Sequence, residues 1–201
     1  MRGRAAVNEA PRIVAVACFA GDVAASSELV SALPDNCSAA FIFVQQPAPA
    51  RGMALAESLA QRTILPVIDA LDGQVVEHGR LYVIPPNATA TMRGGHICVA
   101  SAASDSGSPA DALFTSLAQE SGHNAIGVIL SGGGSDRALG IRAIRQAGGI
   151  TFAQYPGSAR FPNLPISAID TGCIDFVLRP NEIAHKLCTL ADGRADCNRV
   201  Q

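Results

Sequence analysis

The stretch AIGVILSGGGSDRALGIRAIRQAGGITFAQ, residues 125–154, decides the fold. It opens with AIGVIL, a short continuous apolar run that is typical of a strand buried on both faces of a sheet. A glycine-rich turn follows, and then a helical pattern over residues 136–147 that ends at a Gly-Gly pair. The next apolar run, residues 150–154, is a second strand. A strand, a turn, a helix and a further strand make the βαβ unit of a parallel sheet.

The first quarter of the chain repeats this order. Residues 13–18 (IVAVAC) and 39–44 (AAFIFV) are predicted to be buried strands, and helices are expected over residues 23–33 and about 51–62. Since each strand is followed by a helix, the two strands are expected to lie parallel in the same sheet as the strand over residues 125–130.

The middle of the chain has a different pattern. Residues 88–92 and 96–100 are short strands separated by Arg93-Gly94-Gly95, which predicts an antiparallel hairpin. We therefore predict an α/β fold with a doubly wound, mostly parallel, Rossmann-like three-layer sheet and an inserted antiparallel hairpin. The expected organisation is a flexible leader over residues 1–11, a single domain over residues 12–192 and a tail over residues 193–201.

Composition excludes several classes of protein. The chain has 201 residues, of which 48% are hydrophobic and 16% charged, so it can bury a core and is not intrinsically disordered. A net charge of −2 argues against a nucleic-acid partner. No apolar run is long enough for membrane insertion, and the N-terminal residues lack a secretory signal, so a cytoplasmic location is expected. Six cysteines without a CxxC pair predict buried reduced thiols, and neither a metal nor a cofactor is expected.

A ligand of a parallel sheet binds beyond the carboxyl ends of the strands, where the strand order reverses. The most glycine-dense of these ends contains Gly132, Gly133 and Gly134, whose backbone N–H groups are expected to be bare near a helix N-terminus. A small anionic ligand could bind there, although the GxxxxGK[ST] phosphate-loop pattern is missing. The alternative is a tight turn in which Ser135 or Asp136 caps the following helix.

Three long segments resemble one protein family: AIGVILSGGGSDRALGIRAIRQAGGITFAQYPGSA (125–159), LPVIDALDGQVVEHGRLYVIPPN (65–87) and SAIDTGCIDFVLRPNEI (167–183). These segments are similar to the catalytic domain of the CheB protein-glutamate methylesterases. The resemblance covers about residues 12–190 and is nearest to the variant usually fused to a CheR methyltransferase. It implies a bacterial chemotaxis or signal-transduction protein, a Ser-His-Asp triad that hydrolyses γ-glutamyl methyl esters, and a chemoreceptor or other signalling protein as partner.

The resemblance places the triad positions at Phe19, Gln46 and Asp136, with Gly21 and the three glycines of the later turn as the backbone of the cleft. Phenylalanine has no nucleophile, and glutamine cannot accept a proton near neutral pH. Only the aspartate of the triad is kept. We therefore predict a catalytically degenerate methylesterase domain that acts in binding or regulation.

An alternative is an active ester hydrolase with relocated catalytic groups, built from Asp136, the glycine turn and Cys18. Against it, Cys18 directly precedes the nucleophile position, so its side chain is expected on the opposite face of the strand. None of the four histidines is expected at a strand end near position 46. We further expect Phe19 to fill the former nucleophile position and contact the loop over residues 45–49, with the Gln46 amide bonded to Asp136.

Overall fold

A computed structural model describes residues 12–19, 21–46, 54–101, 108–133 and 138–191. The strands are β1 (Ile13–Phe19), β2 (Ala40–Gln46), β3 (Val67–Asp69), β4 (Gln74–Val75), β5 (Leu81–Val83), β6 (Ala88–Arg93), β7 (His96–Ser101), β8 (Ile126–Ile129), β9 (Ile150–Gln154) and β10 (Phe176–Leu178). The α-helices are α1 (Val23–Ser31), α2 (Leu55–Ala60), α3 (Pro109–Ser121), α4 (Ala138–Gln146), α5 (Asn163–Asp170) and α6 (Pro180–Ala191). The predicted leader and tail lie outside these ranges.

Seven parallel strands form the main sheet in the order β10-β9-β8-β1-β2-β5-β3. The chain leaves β1 toward β2 on one side and returns later to β8 on the other side, so the strand order reverses between β1 and β8. A doubly wound sheet offers its ligand crevice at this reversal. The fold therefore places the candidate site at the carboxyl ends of β1, β2 and β8.

Both faces of the main sheet are covered, because its central strands are apolar on both sides. Helices α1, α2 and α6 bury residues such as Leu29, Leu59 and Leu187 against one face. Helices α3, α4 and α5 cover the other face together with a small three-stranded sheet of β4, β7 and β6. Phe114 of α3 and Ile97 of β7 are buried in the core on this face. This arrangement confirms the predicted α/β fold with three layers and a mostly parallel sheet.

The inserted antiparallel unit is larger than the predicted hairpin. Strands β6 and β7 form the hairpin, and β4 pairs with the far side of β7, where Gln74 lies opposite Ile97. A strand of two residues has no hydrophobic period that could reveal it, since it exists only through its pairing. Helix α2 is also shorter than expected at its C-terminal end, and the expected start at residues 51–53 lies outside the described ranges.

In the part of the chain that the structure describes, no helix is both long and apolar enough to cross a membrane. Five of the six cysteines lie in this part, and all five are reduced thiols. Cys18 and Cys37 are buried as expected, whereas Cys98, Cys173 and Cys188 are only partly buried.

Candidate functional site at the carboxyl edge of the sheet

The register of the sheet brings together two of the three positions that the resemblance expects to form the triad. Phe19 ends β1 and lies directly opposite Gln46, which ends β2. On the other side of β1, the Leu130 N–H donates to the Ala17 carbonyl at 2.9 Å, so the glycine turn starts at the same edge. For Gln46 the structure describes the backbone alone. Asp136 and Gly134 fall outside the described residues, and so do residues 47–49. The expected contacts of Gln46 with Asp136 and of Phe19 with the loop over residues 45–49 therefore stay predictions.

The Phe19 ring is half-buried and packs against a residue that the sequence did not indicate. Its partner is Phe161, which precedes α5; the two ring centroids are 5.2 Å apart at an interplanar angle of 74°, an edge-to-face pair. The same ring covers Gly21, where an added Cβ would lie 2.6 Å from Cε1 of Phe19. The Arg160 guanidinium lies 5.4 Å from the Phe161 ring centroid. At the end of β1, where the resemblance expects the nucleophile, the edge of the crevice is therefore an aromatic pair with a cation beside it.

The turn after β8 is held through its backbone. The Gly132 N–H donates to the Phe161 carbonyl at 2.9 Å, and the Gly132 carbonyl accepts from the Leu164 N–H at 3.1 Å. A Cβ at Gly132 would lie 2.7 Å from Cδ2 of Leu164, which explains the glycine. The expectation of bare N–H groups along this turn is thus wrong for Gly132, because α5 packs too closely. Gly133, in contrast, faces open space.

A buried polar network supports the same turn. The Ser131 N–H donates to Oε1 of Gln154 at 2.7 Å, and Nε2 of Gln154 donates to the Ser158 carbonyl at 3.1 Å. The Phe161 N–H donates to Oγ of Ser131 at 3.0 Å. Ser131 and Gln154 are fully buried. Their bonds fix the segment that carries Phe161, so this network positions the aromatic partner of Phe19.

Cys18 does not point into the crevice. It belongs to the core on the face covered by α1 and α6, and its thiol donates to the Val44 carbonyl with Sγ 3.7 Å from the oxygen. Burial raises the pKa of the Cys18 thiol to about 12. Because the thiolate is the nucleophilic form, this cysteine is inert near neutral pH. The expectation that its sulfur points away from the cleft is confirmed.

All four histidines lie among the described residues, and each is exposed. His78 precedes β5, His96 begins β7, His123 precedes β8 and His185 lies in α6. None of the four follows the carboxyl end of β1, β2 or β8. Nδ1 of His78 lies 2.7 Å from the Ser38 carbonyl oxygen. Ser38 precedes β2, so this contact is at the amino-terminal end of the strand and the crevice is at the other end. No histidine takes the place of a base beside Phe19.

Within the described ranges, no group of three or more His, Cys, Asp or Glu side chains could hold a metal ion. The features above define a class: a doubly wound α/β domain with its candidate site at the reversal of strand order. At this site an aromatic pair, a glutamine position and a backbone-held glycine turn lie side by side.

Comparison with known proteins identifies the family. The profile of the CheB methylesterase family matches residues 14–187. The crystal structure of the Thermotoga maritima CheB methylesterase catalytic domain is similar with a TM-score of 0.80 and 26% sequence identity, covering 90% of this chain and 99% of that one. This chain belongs to the CheB methylesterase family.

Two relatives are each matched by this chain over only part of their length. Protein-glutamate methylesterase/protein-glutamine glutaminase 3 of Burkholderia thailandensis is 34% identical over 188 residues, which are 90% of this chain and 52% of that protein. An uncharacterized 104.1 kDa protein of Rhodobacter capsulatus is 41% identical over 125 residues, 62% of this chain and 13% of that protein. The chain thus spans about half the length of the first relative and a small part of the second.

Proposed function

We propose that this domain is a catalytically silent member of the methylesterase family that acts by binding a signalling protein, with the cytoplasmic part of a chemoreceptor as the first candidate. The observation that carries the proposal is Phe19, whose ring packs on Phe161 at the position where the resemblance expects the nucleophilic serine. A phenyl ring has no atom that can attack an ester carbonyl.

The groups that could replace the missing chemistry are unsuited to it. A general base must lie within hydrogen-bond reach of the proton that it removes. The position opposite Phe19 belongs to Gln46, and the four histidines lie on other elements. Cys18, the thiol nearest in sequence, is buried on the other face with a pKa of about 12. These features favour binding without turnover over an ester hydrolase with relocated catalytic groups.

A binding role also fits what the site keeps. The Ser131–Gln154 network and the Gly132 backbone bonds hold the turn after β8 and the segment carrying Phe161. The partly exposed Phe19 and Phe161 rings then offer an apolar contact, and Arg160 adds a positive charge beside it. An acidic receptor segment that carries apolar side chains or methyl esters complements such a surface. A small anion at the glycine turn is less favoured, because the Gly132 N–H is already bonded.

The wider context belongs to the same proposal. We place the domain over residues 12–192 of a cytoplasmic signalling protein, and we expect a fusion variant of the family. The 104.1 kDa relative supports this context, since the stretch of 125 residues that matches this chain accounts for only 13% of its length.

The test is a binding measurement with the cytoplasmic fragment of a chemoreceptor from the same cell, prepared with and without glutamate methyl esters. We expect a complex by isothermal titration calorimetry and no methanol release. Phe19→Ala and Phe161→Ala are each expected to weaken binding about tenfold, which corresponds to about 1.4 kcal/mol for the loss of an aromatic contact.

The matched control is Tyr155→Ala, which removes an exposed aromatic ring outside the Phe19–Phe161 pair and leaves binding unchanged. Two results would overturn the proposal. One is methanol release that Asp136→Ala abolishes, and the other is the absence of any complex with either form of the receptor fragment.

A further inference from the structure

Two cysteines meet at the opposite end of the sheet from the crevice. Cys37 lies in the segment that leads into β2, and Cys188 lies in the second half of α6. The Cys188 thiol donates to the Cys37 sulfur with the two sulfur atoms 3.5 Å apart, although 151 positions separate the residues in the chain. The contact therefore depends on the tertiary fold.

Both cysteines are held in place by the packing of α1 and α6 on the same face of the sheet. Cys37 is 4% exposed, lies between the buried Leu33 and Ala39, and its N–H donates to the Pro34 carbonyl at 3.1 Å. Cys188 is partly exposed and packs against this core. The sulfur of the buried Cys37 thus lies directly beside the sulfur of a partly exposed residue.

The distance is short enough for a covalent bond. A disulfide has sulfurs about 2.05 Å apart, so the pair must close by roughly 1.5 Å. Rotation about the side-chain torsions of two cysteines covers such a distance.

We propose that Cys37 and Cys188 form an oxidation site, with a hydroperoxide as oxidant and a disulfide as product. The Cys188 sulfur, having lost its proton, attacks a peroxide oxygen, so an S–O bond forms, the O–O bond breaks and the first water leaves with that proton. The Cys37 sulfur then attacks the Cys188 sulfur; the S–S bond forms, the S–O bond breaks and a second water leaves with the Cys37 proton. Two thiols lose two electrons, and hydrogen peroxide gains them.

The disulfide ties the last described helix to the entrance of β2 and encloses roughly 150 residues, so it strongly restricts the unfolded chain. Because it lies at the amino-terminal edge of β2, it leaves the crevice beside Phe19 untouched. This inference goes beyond the proposed binding role and does not depend on it.

The test treats the full chain with hydrogen peroxide, blocks the remaining thiols by alkylation and maps cross-links without reduction. Trypsin separates Cys188 (residues 187–194) from Cys197 (residues 195–199), and cleavage after Glu28 separates Cys37 from Cys18. We expect one dominant cross-linked peptide pair, joining residues 29–51 to residues 187–194. We also expect the oxidised protein to melt several degrees higher, reversibly on addition of dithiothreitol.

Cys188→Ser removes both the cross-link and the rise in melting temperature, and Cys98→Ser, a change at another partly buried thiol, keeps both. The mapping in the unsubstituted chain stands even if Cys37→Ser does not fold. A Cys188–Cys197 disulfide, sulfinic acid at Cys188 without a cross-link, or equal oxidation of all thiols would overturn the proposal.

Discussion

The two turns that flank the reversal of strand order are held in different ways. After β1 the contacts come from a side chain, since the Phe19 ring packs on Phe161 and covers Gly21. After β8 the contacts come from the backbone, because Ser131 and Gly132 are fixed through their own N–H groups. We infer from this difference that the turn after β8 stabilises the carboxyl edge of the sheet. The residue at the end of β1 can therefore change its chemistry while the family fold persists.

The largest expected loss of stability comes from removing the hydrogen bond between Gln154 and the Ser131 N–H, which holds the turn after β8. Gln154→Met leaves the buried Ser131 N–H without its acceptor, which costs up to about 3 kcal/mol of unfolding free energy. Urea denaturation measures this loss. Gln119→Met, at an exposed position of α3, is the control and changes the unfolding free energy by less than about 0.5 kcal/mol. A similarly small effect at Gln154 would contradict the role given to the network.

The next effect comes from the close approach of α5 to the glycine turn. Gly132→Ala places a Cβ 2.7 Å from Cδ2 of Leu164, and the overpacking is expected to cost about 2 kcal/mol in urea denaturation. The neighbouring Gly133→Ala is the matched control, since nothing lies within 4 Å of its added Cβ. Equal effects of the two changes would show that close packing does not distinguish these glycines.

The pH dependence of the unfolding free energy tests the burial of Cys18, which lies in the core on one face of β1. The pKa of Cys18 is raised from 9.0 to about 12, so the folded state holds this proton more tightly than the unfolded state. The stabilisation is fully present below pH 9 and is lost as the pH rises from 9 toward 12, by up to about 1.4 kcal/mol per pH unit.

Urea denaturation between pH 7 and pH 11 measures this slope. Cys18→Ala should lower the slope above pH 9. A slope that Cys18→Ala does not alter would contradict the burial of this thiol.

The smallest effect is the coupling between the two rings. In a double-mutant cycle of Phe19→Leu and Phe161→Leu, the edge-to-face pair is expected to contribute a coupling of about 1 kcal/mol. The cycle of Phe19→Leu with Tyr155→Leu is the control and is expected to be additive. If the Phe19–Phe161 cycle is additive as well, the β1 turn is not held by this pair.

The sequence predicted the sheet well because its central strands are continuous apolar runs. Residues 13–18, 39–44 and 125–130 correspond closely to β1, β2 and β8. It missed β4, which consists of two residues and depends on pairing with β7. Local pattern carries no information about such a strand.

At the site, the sequence predicted positions better than contacts. The pairing of Phe19 with Gln46 follows from parallel strands that end at the same edge. Phe161 was missed because it precedes α5 in a segment without hydrophobic period, far along the chain from Phe19. Gln154 offered one signal, a polar residue at the end of an apolar strand, but its partner Ser131 lies 23 positions away and is identified only by the fold.

The central claim is that this domain does not hydrolyse methyl esters, and methanol release tests it most directly. The unsubstituted chain and its Asp136→Ala variant are incubated with a methylated receptor fragment, with the Burkholderia thailandensis methylesterase as positive control. Phe19→Ser combined with Gln46→His restores the serine and histidine that the resemblance expects at these positions. It is expected to give weak activity at best, because the resemblance also expects glycines where this chain has Asp22 and Arg137. The account predicts that the unsubstituted chain and Asp136→Ala both release methanol at the rate of buffer alone. Release by the unsubstituted chain that Asp136→Ala abolishes would contradict it.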